Sequence, residues 1–393
     1  MDKKVHPLVL WGNFYAFIIT GMAVLITGAI LPYLIDEFHL SYSSGGLLLA
    51  LQAIGNLGAS LIGGIISDYV GRKTVMLFGS LCFLIGFGGV FFVTSTFLLF
   101  LLLFMAGIGW GVMNSMVNSV VSDASGGRSS TMNLLHMFFA IGAFIAPLFI
   151  GILVRANLSW RFGPLALSFM SAILFLVFLI MPIESTKKDE NEDNKGGIPF
   201  SNIRYYIFML LLFLYVGSEN SINGWMVTYL QELNIFSTIG PQDVLSIFWV
   251  AIIAGRLLNA AIHRLLTKEV LILTYSLGGS ISFILFLLTS HPVLIMLWVF
   301  LMGIFFAGFY PTLVANASSI IRGSGAAAGI LMGCGGMGGA VVPYINGIVA
   351  EGRGLYAGLM VIVVSMLLLI IIALINYRQG KRDDAGDINN ELS

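Results

Sequence analysis

The chain has 393 residues, of which 58% are hydrophobic and only 10% charged, with a mean hydropathy of +0.97 and a formal net charge of zero. A water-facing surface needs roughly a quarter charged residues, so an ordinary soluble globule is excluded and most of the surface must meet lipid. The balanced charge gives no case for nucleic acid or any other polyanion as a partner.

Crossing the hydrocarbon core takes about 20 apolar residues. The first apolar run follows Met1-Asp2-Lys3-Lys4 and is far longer than the core of a cleaved leader, so no signal peptide is expected. In chain order the sequence predicts membrane helices at roughly 8–35, 42–67, 74–94, 97–122, 129–154 and 161–182. After a polar linker, six more follow at roughly 204–231, 242–266, 270–290, 293–321, 325–350 and 355–377. The expected organisation is a six-helix bundle over 1–183, a cytoplasmic linker over 184–203, a second bundle over 204–378 and a disordered polar tail over 379–393. Cys82 and Cys334 lie deep in apolar runs and read as core residues.

Basic residues orient the helices. With the N-terminus cytoplasmic, Lys3, Lys4, Arg72, Lys73, Arg128, Lys187, Lys188, Lys195, Arg204, Arg264, Lys268, Arg322, Arg378, Lys381 and Arg382 fall inside. Arg155, Arg161 and Arg353 fall outside, and Arg256 sits within a span. Fifteen against three predicts that both termini and the linker are cytoplasmic, in the plasma membrane.

An offset of 196 residues brings Gly21 onto Gly217 and Tyr33-Leu34 onto Tyr229-Leu230. The same offset brings Gly107-Ile108 onto Gly303-Ile304, and Pro147 and Gly151 onto Pro343 and Gly347. One gapless offset over three helix pairs means two copies of one six-helix unit, in the same topology. The expected fold is therefore an all-α membrane protein of twelve transmembrane helices, in two bundles related by a pseudo-two-fold axis along the membrane normal. Such parallel repeats place a solute site near the midplane between the halves.

Ionisable groups inside a span cost a few kcal/mol or more and usually face a cavity. Of nineteen acids, only Glu219 lies near the middle of a span, and a group able to be charged or neutral is what proton coupling needs. Tyr215, Glu219 and Asn223 recur every four residues on one helix face, flanked by Asn220 and Trp225. Amides with an aromatic plane would suit a sugar, although a lone amide also serves as helix–helix glue. A second stripe in the fourth span is Trp110, Asn114, Asn118 and Ser122. His136 is a candidate for solute binding or proton relay, with a structural histidine as the alternative. Gln52, Asn56, Trp249, Tyr310, Asn316 and Asn346 complete the candidate solute contacts. Arg256 is expected to pair with a carboxylate or with helix-end carbonyls and so stabilise one conformation. Glycines crowd the eleventh span before Pro343, which favours close packing with some bending.

Gly64-Ile65-Ile66-Ser67-Asp68-Tyr69-Val70-Gly71-Arg72-Lys73, between the second and third spans, resembles the signature loop of the major facilitator superfamily. Asp68 is expected to cap the next turn and meet nearby cations, and Gly71 to allow a tight reversal. The resemblance implies the major facilitator fold and makes this loop a gate-stabilising latch on the cytoplasmic face. Asp68, Gly71, Arg72, Arg128, Arg256, Pro147 and Pro343 are the expected gating or conformational residues. Three segments resemble the fucose–galactose–glucose:proton symporter family: Phe213 to Trp225, Asn133 to His136 with Gly142 to Pro147, and Gly107 to Asn118. Fucose-type members carry acids in spans 1 and 4, where this chain has none and Asn114 respectively.

The resemblance implies proton-coupled symport of a hexose, with a proton-coupled drug or metabolite antiporter as the competing reading. Sodium coupling and uncoupled sugar transport are the further alternatives. In the antiporter Gly-Pro motif Ala146 replaces a glycine, and the fourth span has no basic residue. No His-Glu-x-x-His motif, paired intramembrane acids or nucleotide-binding loop occurs. No enzyme activity, catalytic residue, metal or cofactor is therefore expected. The expected partners are a small solute, a coupling ion and the bilayer, and the expected state is a monomer.

Overall fold

The computed structural model describes residues 6–183, 198–236, 239–262, 265–321 and 324–391. The described residues form twelve α-helices and no strand. The first six are α1 (Pro7–Glu37), α2 (Tyr42–Val70), α3 (Arg72–Phe92), α4 (Thr96–Ser125), α5 (Ser129–Arg155) and α6 (Phe162–Ile180). The others are α7 (Ile203–Leu233), α8 (Pro241–Ile262), α9 (Lys268–Leu287), α10 (Pro292–Ile321), α11 (Gly325–Arg353) and α12 (Leu355–Glu391). All twelve contain a window long and apolar enough to cross a bilayer.

Helix ends follow local chemistry. Ser41, Asn202, Thr267 and Ser324 each accept a backbone N–H at an N-terminus. Gly71, at φ +85°, reverses the chain between α2 and α3, a conformation in which a side chain would be strained. The expected cap by Asp68 is not made: its side chain is exposed, and α3 starts from Gly71 without a side-chain cap. Helix α12 continues to Glu391, past the end expected near 377 and through the segment expected as a tail, since no proline interrupts it. The linker stretch 184–197 and Lys3, Lys4, Arg264 and Arg322 lie outside the described residues.

The repeat is visible in which helices touch. Within the first six, α1 packs on α5, α2 on α4, α3 on α4 and α3 on α6. Adding six to each number gives the packing of the other half: α7 on α11, α8 on α10, α9 on α10 and α9 on α12. The seams obey the same symmetry, with α2 against α11, α5 against α8, and α1 against α7. Atomic contacts repeat as well. A Cβ on Gly107 would lie 2.1 Å from the Gln52 carbonyl oxygen, and one on Gly303 would lie 2.5 Å from that of Phe248. Each partner in the first contact lies 196 residues before its counterpart in the second, so glycine recurs where two backbones close to van der Waals contact.

The halves meet at the end of the molecule away from the termini. There Gln242 donates to the Tyr33 hydroxyl (2.9 Å), Arg155 pairs with Asp243, Tyr42 reaches Glu232 (3.4 Å) and the Ser43 N–H reaches Glu351 (3.3 Å). Toward the termini the α2–α11 seam parts. Beyond the contact of Leu57 with Gly336, the positions of Gly329 and Gly333 on α11 and Gly58, Gly63 and Gly64 on α2 face open space. Among the described residues, no hydrogen bond joins the halves closer to the termini than Arg256 to the His136 carbonyl (3.1 Å).

Candidate functional site

Five helices converge on a cavity at the middle of the seam. Its wall is Val24 and Gly28 from α1, Leu49, Gln52 and Ala53 from α2, Trp110 from α4, Asn220, Asn223 and Gly224 from α7, and Gly339 and Pro343 from α11. Small residues make the room, and three amides and one indole supply the polar and aromatic surface. No charged side chain lines it.

The amides are held by their neighbours. Gln52 donates through Nε2 to the Ala23 carbonyl (3.2 Å), and Asn220 through Nδ2 to that of Gly339 (3.4 Å). Asn223 accepts at Oδ1 from Trp249 Nε1 (3.2 Å). On α4, Asn114 and Asn118 follow Trp110 at intervals of four and so continue its face toward the termini, with Asn118 donating to the Asn114 carbonyl (2.6 Å). Asn56, one turn from Gln52, is half-buried and accepts weakly from Ser60 (3.4 Å).

Charge lies beside this cavity and not in it. Glu219 is one helical turn from Asn223, about 6 Å along the axis. Arg256 of α8 and Tyr310 of α10 are its nearby polar neighbours, while the Tyr215 hydroxyl one turn earlier donates to the Phe306 carbonyl (3.0 Å). Arg256 makes no ion pair with Glu219 within 4 Å; its guanidinium instead donates to the His136 carbonyl across the seam. The His136 ring is half-buried and packs edge-on against Phe17 at 5.7 Å. Tyr310 is 40% exposed and points its hydroxyl at Met332 Sδ (3.2 Å).

Other candidates stand apart from the cavity wall. Trp225 is fully buried, donates to the Pro343 carbonyl (3.1 Å) and packs edge-on against Tyr42. It fastens α7 to α11. Trp249 is buried behind Asn223, against Phe139 of α5. Asn346 is buried against α12, where a Cβ on Gly358 would lie 2.5 Å from its Oδ1, and neither of its amide atoms has a partner. Asn316 donates to Glu269 (3.2 Å), which also pairs with Arg204 (3.0 Å) at the end bearing the termini. At that end, too, Arg72 pairs with Asp123 (2.5 Å), tying α3 to α4, while Asp68 and Arg128 are exposed. Pro147 and Pro343 lie inside α5 and α11.

Val24, Gly28, Leu49, Ala53 and Gly224 of the wall were not among the candidates, and of these Gly28 and Gly224 are 196 residues apart. The repeat offset was the signal that could have found these two glycines.

The sequence profile of the Major Facilitator Superfamily matches residues 14–292. A glucose/mannose transporter, GlcP of Bacillus subtilis, is 26% identical over 325 residues, covering 78% of this chain and 79% of the relative. A TsgA homologue of Buchnera aphidicola is 22% identical over 382 residues, covering 95% and 97%. Among solved structures, the nucleoside transporter NupG superposes with a TM-score of 0.79 at 17% identity, covering 95% of this chain and 99% of that one. A bacterial homologue of the human lysosomal transporter Spinster, in an inward-facing and unoccupied conformation, gives 0.77 at 15% identity, covering 96% and 98%.

Proposed function

The chain belongs to the major facilitator superfamily and is a multi-pass membrane transporter, and on that premise we propose that it moves a neutral, hydroxyl-rich ring solute, a hexose in the first instance, by proton-linked symport. The observation that carries this reading is the composition of the cavity wall: three amides, an indole and small residues, with Glu219 one turn from Asn223 and no charged side chain in the wall itself. A neutral solute rich in hydroxyls can satisfy amides at no desolvation cost for buried charge, whereas an anion or a lipophilic cation would find no counter-charge there. The indole of Trp110 gives a flat face for a sugar ring. The likeness to a glucose/mannose transporter supports a hexose.

Glu219 would take the proton. With Glu219 neutral, the Arg256 guanidinium is best satisfied by the His136 carbonyl, which holds α5 to α8. With Glu219 ionised, the carboxylate competes for Arg256 and loosens that seam. Proton and solute thus bias the same pair of conformations, and each needs only a differential interaction with the two. In this reading the termini are cytoplasmic, and the parted seam is the inward opening.

A thermal-shift panel on the purified protein tests the cargo. Hexoses should raise the melting temperature in a saturable way, and hydrophobic cationic drugs should not. Stabilisation by the drugs alone would overturn the reading. Stabilisation by nucleosides alone would keep the neutral solute and replace the hexose.

A further inference from the structure

We propose that Trp249 is a positioning residue that fixes which way the Asn223 amide faces, and thereby sets the cavity's hydrogen-bonding code as one donor against two acceptors. The proposal rests on the neutral-solute reading of the cavity and adds to it the residue that selects among such solutes.

The two ends of an amide have nearly the same shape, so its orientation is decided by the partner. An indole N–H can only donate. The Asn223 atom 3.2 Å from Trp249 Nε1 must therefore be the oxygen, which leaves the Nδ2 group, with its hydrogens, for the cavity. The other two amides are fixed by the opposite rule, because a backbone carbonyl only accepts. Ala23 takes the Nε2 of Gln52 and Gly339 takes the Nδ2 of Asn220, so each leaves an oxygen to the cavity. A solute would then be read by Asn223 at an oxygen that accepts, and by Gln52 and Asn220 at hydroxyls that donate.

Trp249 is placed to hold this arrangement and not to touch the solute. It is 4% exposed and is absent from the cavity wall. Its ring lies 5.8 Å from Phe139 of α5, so the indole is braced from the opposite half of the protein. Without its N–H, Asn223 is free to turn over and present either atom.

The test is competition against labelled D-glucose on purified protein, with the monodeoxy and monodeoxyfluoro glucoses, and in parallel uridine with its deoxy analogues. In the wild type, removing the oxygen opposite Asn223 should weaken binding about tenfold or more, and fluorine there should recover part of the loss because it can accept but not donate. In Trp249→Phe that one penalty should shrink to within about threefold while the penalties at other positions stay. Asn223→Asp keeps an oxygen toward Trp249 but replaces the donor, and should lose the same discrimination with the tryptophan intact. If Trp249→Phe weakens every analogue by a common factor, Trp249 only packs and the proposal fails. If neither glucose nor uridine binds the wild type, the neutral-solute reading fails and the code falls with it.

Discussion

Helices α1 and α7 are repeat mates, and at the cavity they differ at the positions that matter. Where α7 has Glu219, Asn220 and Asn223, the same register in α1 holds Ala23, Val24 and Thr27. Both helices are largely buried, and both approach the cavity through a glycine, Gly28 or Gly224. The backbone is thus duplicated and the chemistry is not. Their ends differ too. Beyond α1, Arg161 binds Glu37 (2.6 Å) and the carbonyls of Val90, Phe91 and Val93 (2.9 Å each), while Trp160 donates to Glu37 (3.0 Å). The register mates of Glu37 and Arg161 are Leu233 and Ala357, which cannot form such a staple. The first half carries this staple, and the second carries the intramembrane acid and arginine.

The sharpest way to break this comparison is to move the acid. Ala23→Glu would place a carboxylate in α1 at a fully buried site whose counterpart of Arg256 is Ser60. With no cation to meet it, the fold should lose about 3 kcal/mol or more, read as a lowered melting temperature in detergent. A variant as stable as wild type would show that α1 tolerates what α7 holds.

A smaller effect separates the paired glycines. A Cβ on Gly28 would lie 2.0 Å from the Asn223 carbonyl oxygen, which is backbone and cannot yield alone. On Gly224 it would lie 2.4 Å from Leu49 Cδ1, the tip of a flexible side chain. Gly28→Ala should cost about 1–3 kcal/mol and reduce uptake, whereas Gly224→Ala should cost less than about 1 kcal/mol. The reverse order in thermal unfolding and uptake would contradict the close approach of α1 to α7.

Element positions were legible because lipid imposes a simple rule of length and hydropathy, and the repeat because its offset has no gaps. The faces of α7 were harder to read. From residue 211 to 230 it has no exposed side chain, being packed by α1, α8, α10, α11 and α12, so no outward side marks the opposite side as cavity there. That is why Trp225, two residues after Asn223 in the same motif, reads as a cavity aromatic yet turns to Pro343, while Trp110 of α4 reaches the wall. The spacing of Tyr215, Glu219 and Asn223 puts them on one face, and in the structure Tyr215 bonds to α10 and Asn223 to α8, with Glu219 between them. Asn346 reads like the cavity amides because composition cannot tell which neighbour an amide meets. Which end of the seam is closed was not legible at all, since one sequence must serve both states of a transporter.

The central claim is that the proton acts at Glu219 in α7 and nowhere in α1. Its most direct test is to add glucose to lightly buffered, de-energised proteoliposomes and follow external pH. Wild type should alkalinise the medium as solute enters with protons, and Glu219→Gln should still exchange labelled glucose across the membrane with no pH change. Alkalinisation that persists in Glu219→Gln, or glucose entry into wild type without any, would contradict the account.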